Sequence, residues 1–217
     1  MQDSGGQEQS GGRRISVLAV DDHPLLLDGI KAALSDQQDM ELVAVAADGQ
    51  TGIEAYRRYL PDVTLMDLQM PGVNGLEALR AIRQKHPEAR VVMLTTYRGD
   101  VQVMSALKSG ASGFLLKGML RKELRETIRA VHAGQRVIPT EVAIELAEHA
   151  GSGLLSSREI EVLKCVARGE GNREIAMQLH ITEDTVKAHL KSIFTKLNAK
   201  DRTHAVMVAL KRGILQV

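Results

Sequence analysis

Asp67 closes the apolar run Val63-Thr64-Leu65-Met66 and stands four residues ahead of Pro71-Gly72. A short buried strand that stops on an acid delivers that carboxylate to its carboxyl end, the edge at which open α/β sheets bind ligands. Asp21 and Asp22 follow another such run, Ile15 to Val20; Thr95 closes a third, Arg90 to Thr95; Lys117 follows a fourth, Gly113 to Leu116. Carboxylates crowded into one pocket are costly unless a cation joins them. Clustered oxygens with open positions suit Mg²⁺, which keeps some water and accepts phosphate oxygens. The set could perform phosphoryl transfer, with Asp67 as nucleophile, Mg²⁺ and Lys117 neutralising the phosphoryl oxygens, and Thr95 donating a hydrogen bond to one of them. The bland alternative, polar residues ending their strands in solvent, is preferable for any one position; five at one edge argue against coincidence.

The elements needed to hold these residues alternate regularly. Strands are expected at 15–20, 41–46, 63–67, 90–95 and 113–116, and helices at 24–34, 49–59, 75–84, 100–108 and 120–133. Five strand–helix units in about 120 residues predict an α/β fold, a doubly wound five-stranded parallel sheet with helices on both faces. Near-continuous apolar strands fit a sheet covered on both sides. Winding in both directions from the first strand makes the first and third strands neighbours, which unites Asp21 and Asp22 with Asp67. Pro24 suits the first turn of its helix. His23 reads as the residue that opens that helix rather than as a metal ligand, and Gly72 and Gly75 read as a turn rather than a phosphate cradle.

From Gly134 the period changes. Residues 135–152 read as a linker with a short helix at 140–150, and beyond them only helices are expected: 156–168, 172–179, 183–197 and 201–211. The Gly/Gln/Ser-rich residues 1–12 read as a disordered tail. The predicted organisation is therefore a tail (1–12), a sheet domain (13–134), a linker (135–152) and an all-α four-helix domain (153–217). The formal net charge of +1 is unevenly spread, because residues 153–217 hold 11 Lys+Arg against 7 Asp+Glu. That excess is a modest pointer to a polyanionic partner at the C-terminal end. No apolar run approaches the ~20 residues of a membrane span, and no secretory signal pattern opens the chain, so a cytoplasmic location without membrane attachment is the expectation. Cys165 is the only cysteine, which excludes an intramolecular disulfide; it reads as core filler.

Residues 172–197 form a helix, a three-residue turn and a longer helix. Thr182 is a good N-cap for the second, with Glu183 and Asp184 favourable in its first turn. Val186, Leu190, Ile193, Phe194 and Leu197 make one apolar stripe, leaving Thr185, Lys187, Ala188 and Lys191 off it. Small and basic groups on such a helix fit a DNA major groove; a solvated face on a helical bundle accounts for the spacing about as well.

Residues 15–133 resemble the receiver domain of two-component response regulators, through Asp21-Asp22-His23-Pro24, Met66-Asp67-Leu68-Gln69-Met70-Pro71-Gly72-Val73-Asn74-Gly75, Met93-Leu94-Thr95-Thr96 and Gly113-Phe114-Leu115-Leu116-Lys117. The resemblance implies that Asp67 takes phosphate from a sensor histidine kinase. It places Asp22 and Asp67 on Mg²⁺ directly, Asp21 through water, and the backbone carbonyl of Gln69 as a further ligand. It makes Thr95 and Phe114 a switch pair, the hydroxyl moving toward the phosphoryl group as the ring turns inward. Gly118 stands where many receivers carry proline, and Tyr97 and Gln69 lie near the path of an attacking water. Residues 154–215 are similar to the LuxR-type helix-turn-helix domain, through Leu155-Ser156-Ser157-Arg158-Glu159, Val162-Leu163, Gly169, Asn172-Arg173-Glu174-Ile175-Ala176, Thr185-Val186-Lys187-Ala188-His189, Lys196-Leu197 and Arg202. That resemblance implies that Lys187, Ala188 and Lys191 face bases, that Thr182, Arg173 and His189 contact phosphates or position the helix, that Thr185 belongs to the same DNA-binding set, and that Glu159 is structural, pairing with a basic residue.

Together these imply a DNA-binding transcriptional regulator of the NarL/FixJ type, not an enzyme beyond assisting its own phosphorylation and dephosphorylation, and a homodimer on double-stranded DNA. One alternative is an aspartyl-phosphate phosphohydrolase. Such enzymes carry a second Asp two residues after the nucleophile, where this chain has Gln69. The other alternative, a receiver that binds partners without phosphorylation, leaves the complete acidic set unexplained.

Overall fold

The computed structural model describes residues 13–96, 100–149 and 155–215. The expectations for residues 1–12, for Tyr97 and for Gly151-Ser152-Gly153 lie outside the described residues. In chain order the elements are β1 (Ile15–Val20), α1 (Pro24–Ser35), β2 (Met40–Ala46), α2 (Gly49–Tyr59), β3 (Val63–Asp67), α3 (Gly75–Lys85), β4 (Val91–Thr95), α4 (Asp100–Lys108), β5 (Gly113–Leu116), α5 (Leu120–His132), α6 (Thr140–His149), α7 (Ser157–Ala167), α8 (Asn172–Leu179), α9 (Glu183–Leu197) and α10 (Arg202–Lys211). Contacts divide the described residues into two units, 13–95 with 109–137, and 96–108 with 138–215.

In the first unit the five strands are parallel in the order β2-β1-β3-β4-β5. Alternate residues of a strand point to opposite faces. Val17 and Ala19 of β1 join Val63 and Leu65, Val92 and Leu94, and Leu115 in one cluster with Ile30 and Leu34 of α1 and Leu124, Ile128 and Val131 of α5. The intervening Leu18 and Val20 face the other way, and a Cβ on Gly52 of α2 would come within 2.8 Å of the Val20 side chain. Both faces are therefore covered, which explains strands apolar at nearly every position rather than at every second one. Pro24 occupies the first turn of α1, where its missing N–H costs nothing.

The second unit gathers α7, α8, α9 and α10 around Val162, Leu163, Ile175, Val186, Leu190, Ile193, Leu197, Ala205 and Ala209. Three of its helices start on residues whose side chains cap them. Ser156 and Glu159 form a capping box on α7, Thr182 caps α9 and Asp201 caps α10. Each such cap contributes about 1 kcal/mol. The expected helix starts at 156 and 201 thus fall on N-caps, one residue before the helices themselves. Here α4 packs against α6, an association that alternation of strands and helices could not reveal. No described helix is long and apolar enough to cross a membrane.

Candidate functional site

Strand register assembles the acidic edge. Val20 of β1 is level with Met66 of β3, so the next residues, Asp21 and Asp67, emerge side by side. Asp67 is level with Leu94, one residue before Thr95, and Thr95 is level with Leu116, one residue before Lys117. A glycine is required just behind Asp67: a Cβ on Gly75 would sit 1.8 Å from the Asp67 carbonyl oxygen. Gly72, at φ +70°, turns the chain between them, a backbone region that favours glycine. Asn74 and Glu77 then lock the start of α3 by a reciprocal capping box, at 3.0 and 3.1 Å.

Asp21 and Asp67 are buried, and Asp22 is half-buried. Lys117 Nζ reaches both deep carboxylates, 2.7 Å from Asp21 Oδ2 and 2.9 Å from Asp67 Oδ2. These distances make ion pairs. The angles nevertheless fall short of hydrogen bonds, so both oxygens, and Asp22 Oδ1, are buried acceptors lacking a well-aligned donor. Burial pushes the Asp67 carboxyl above its usual pKa; Lys117 pulls the other way, Asp21 adds to the rise, and the Gln69 main-chain N–H partly offsets it. Burial alone would lower the Lys117 ammonium, but its ion pairs with Asp21 and Asp67 outweigh that and raise it. Lys117 is therefore held charged, and this one ammonium faces two carboxylates, with that of Asp22 in the same cluster.

Asp21, Asp22, His23 and Asp67 each offer a donor atom within 4.8 Å of the others. The unsatisfied buried oxygens and the surplus negative charge fit a divalent cation with oxygen ligands. Thr95 and Phe114 are both buried, Phe114 completely, on the neighbouring strands β4 and β5, where Phe114 is level with Met93, two residues before Thr95. Lys117 begins a short 3₁₀ turn, Lys117–Met119, ahead of α5, a turn that the spacing did not predict. The Lys117–Gly118 peptide is trans.

In the second unit, His180 in the left-handed region (φ 53°) ends α8, and Thr182 opens α9 by accepting from Thr185 N at 3.2 Å. Lys187, Ala188 and Lys191 are exposed together. At about 100° per residue they span one arc of α9 opposite Val186 and Leu190. Lys187 meets Asp184 at 2.9 Å in an exposed pair, an interaction of small worth that leaves the ammonium available. Arg173 is exposed in the first turn of α8. Thr185 and His189 are half-buried; His189 lies about 150° around the helix from that basic arc, so it does not join Lys187, Ala188 and Lys191 on one face.

Glu159 is buried and paired with Lys196 at 2.7 Å, as a structural role requires, and it also accepts from Ser192 Oγ and Ser156 N, both at 2.6 Å. Burial would raise its pKa, but these bonds from Lys196, Ser192 and Ser156 bring it down to about 2. Two arginines were missed as determinants of the turn. Arg158 donates to the carbonyl of Leu179, at the end of α8, and Arg202 to that of Glu170, just before it, at 2.6 Å. The two guanidiniums hold both ends of α8; their separations of 21 and 32 residues leave no local signal.

A covered parallel sheet with an acidic pocket at its carboxyl edge, continued by a helix-turn-helix bundle, defines a two-domain signalling regulator. Residues 17–129 match the model for the response regulator receiver domain, and residues 153–209 that for bacterial regulatory proteins of the luxR family. The response regulator protein VraR of Staphylococcus epidermidis is 37% identical over 207 residues, covering 93% of this chain and 99% of that protein. The transcriptional regulatory protein DegU of Brevibacillus brevis is 36% identical, covering 97% and 99%. Among solved structures, RcsB of Salmonella enterica serovar Typhimurium, bound to a promoter in the presence of the phosphomimetic BeF3-, is similar at a TM-score of 0.72 and 26% identity, covering 92% of this chain and 99% of that one. The chain belongs to the two-component response regulators that join a receiver to a LuxR-type domain, phosphorylation-dependent DNA-binding regulators of transcription.

Proposed function

We propose that Asp67 is the phosphoacceptor. An Asp67 carboxylate oxygen attacks the phosphorus of a phosphohistidine on a sensor kinase; the new P–O bond forms as the P–N bond breaks, and the imidazole leaves. Lys117 Nζ neutralises the transferred oxygens and Thr95 Oγ donates a hydrogen bond to one of them. Asp21, Asp22, Asp67 and the Gln69 carbonyl would hold Mg²⁺, which would supply positive charge against the phosphoryl group. The observation that carries this reading is the meeting of three carboxylates with Lys117 at one sheet edge, with buried oxygens left short of donors. The same residues, with water as acceptor, return the protein to its resting state, so its chemistry is confined to its own phosphorylation and dephosphorylation.

The reader of that state is the bundle of α7, α8, α9 and α10. Lys187, Ala188 and Lys191 face base edges in a major groove, while Thr182, Thr185, Arg173 and His189 contact phosphates or set the tilt of α9. Phosphate on Asp67 shifts a two-state receiver equilibrium through Thr95 and Phe114 and thereby favours a homodimer on DNA. The DNA-bound RcsB relatives, one described as two dimers on two parallel DNAs, support that assembly. The functional divisions are the receiver (13–134), the linker (135–152) and the DNA-binding domain (153–217), and the protein acts in the cytoplasm. Incubating the protein with acetyl phosphate and Mg²⁺ tests the acceptor: intact-mass measurement is expected to show one phosphoryl group on the wild type and none on Asp67→Asn. Equal labelling of both would refute the assignment.

A further inference from the structure

The phosphoryl-transfer reading gives His23 no task beyond opening α1, and there its side chain makes no capping hydrogen bond. The ring turns instead to the acids. Nδ1 lies 3.0 Å from Asp21 Oδ1 and 2.8 Å from Asp22 Oδ1. A ring nitrogen carries at most one proton and can direct it to one acceptor. The line to Asp21 Oδ1 has hydrogen-bond geometry. Asp22 Oδ1, the nearer of the two, receives no hydrogen bond and is buried. Asp21 Oδ1 already accepts the His23 main-chain N–H at 2.9 Å. Three electron-rich atoms thus converge around one point with at most one ring proton among them.

Ligands bound at 2.0–2.1 Å around an octahedral ion lie about 2.9 Å apart along each edge. The two Nδ1–oxygen separations match two such edges. Lys117 meets Asp21 and Asp67 through their Oδ2 atoms, which leaves Asp21 Oδ1 and Asp22 Oδ1 to the histidine side. Mg²⁺ prefers oxygen, whereas imidazole suits the borderline ions of the first transition row.

We infer that His23 Nδ1 is a metal donor at this site, so that the receiver accepts Mn²⁺, Co²⁺ or Zn²⁺ through one nitrogen and the Asp oxygens, besides an oxygen-only Mg²⁺ mode. The inference rests on the reading of Asp21, Asp22 and Asp67 as a cation site. The ring is largely exposed and makes no side-chain cap bond, so His23→Ala is expected to fold, as circular dichroism would verify.

The test uses the full chain as wild type, His23→Ala and Asp22→Asn. Pulsed electron paramagnetic resonance on bound Mn²⁺ is expected to show coupling to a directly bound nitrogen in the wild type and none in His23→Ala. Calorimetric titration is expected to show Co²⁺ weakened by about tenfold or more in His23→Ala, Mg²⁺ little changed, and both weakened in Asp22→Asn. Mn²⁺ bound in an Asp22-dependent manner without nitrogen coupling would overturn the inference, as would equal losses of Co²⁺ and Mg²⁺ affinity in His23→Ala, and either result leaves the cation site standing. A wild type that binds no Mg²⁺ would overturn both.

Discussion

Lys117 and Lys196 each meet buried carboxylates, and the two groups are built to opposite ends. Around Lys196 there is one acid, Glu159, with Ser192 and the Ser156 main chain completing its hydrogen bonds. Its pKa falls to about 2. Around Lys117 there are Asp21 and Asp67, with Asp22 close by, and buried oxygens lacking aligned donors. There the pKa of Asp67 rises. A satisfied buried ion pair stabilises its surroundings once formed; an under-compensated one stores unfavourable charge that a ligand can relieve. The first fastens α7 to α9, and the second is poised for a cation and a phosphoryl group.

Removing one partner breaks the comparison most sharply. Glu159→Ala leaves Lys196 without its acid and α7 without its capping box, so the C-terminal helices are expected to lose about 3–5 kcal/mol. Hydrogen exchange in α7 and α9 under urea reads this directly, and a loss below about 1 kcal/mol would return Glu159 to the status of an ordinary surface charge. The pH dependence follows from the same group. Its folded pKa lies below the unfolded value, so its contribution is present above about 4.5 and is lost as pH falls toward about 2. The wild-type C-terminal helices should weaken through that interval, with a shallower slope in Glu159→Ala; parallel slopes would contradict the assignment.

The acidic edge should respond with the opposite sign. A folded pKa above the unfolded one means that stability is present at low pH and lost as pH rises through the folded value. Asp67→Asn removes that repulsive charge, and in metal-free buffer near neutral pH the sheet unit is expected to gain about 1 kcal/mol. Thermal melts in a chelator check this, and a destabilised variant would show that Asp67 is already well compensated. The smallest effect concerns DNA. Arg173→Ala should reduce the salt-dependence slope of binding by about one unit through a lost phosphate contact, whereas Lys191→Ala should alter sequence preference; an unchanged slope in the first and an unaltered preference in the second would contradict these roles.

Much of the sheet and its edge was legible because each reactive residue ends an apolar run or stands within two residues after one. β1, β3, β5, α2, α4, α8 and α9 fall at the expected boundaries, and the starts of α2 and α9 are set by the caps Asp48 and Thr182, which act within one turn. Glu159 was legible as a structural acid, but not its partner: Lys196 lies 37 residues away and only the packing of α7 on α9 unites them. The same holds for Arg158 and Arg202, which act on backbone carbonyls that no side-chain pattern marks. His23 was read from its place before Pro24, which explains its backbone and says nothing of where its ring turns. The grouping of α4 with α6 likewise depends on tertiary contacts, since either helix alone has an ordinary apolar face.

The central claim is that chemistry at Asp67 governs what the C-terminal helices do. Duplex DNA selected by the protein from a random pool provides a ligand, and its affinity can be measured with Mg²⁺, with and without beryllofluoride, for the wild type and Asp67→Ala. A beryllofluoride-dependent change in affinity in the wild type that disappears in Asp67→Ala is the predicted result. An affinity indifferent to beryllofluoride, or a change that survives in Asp67→Ala, would contradict it.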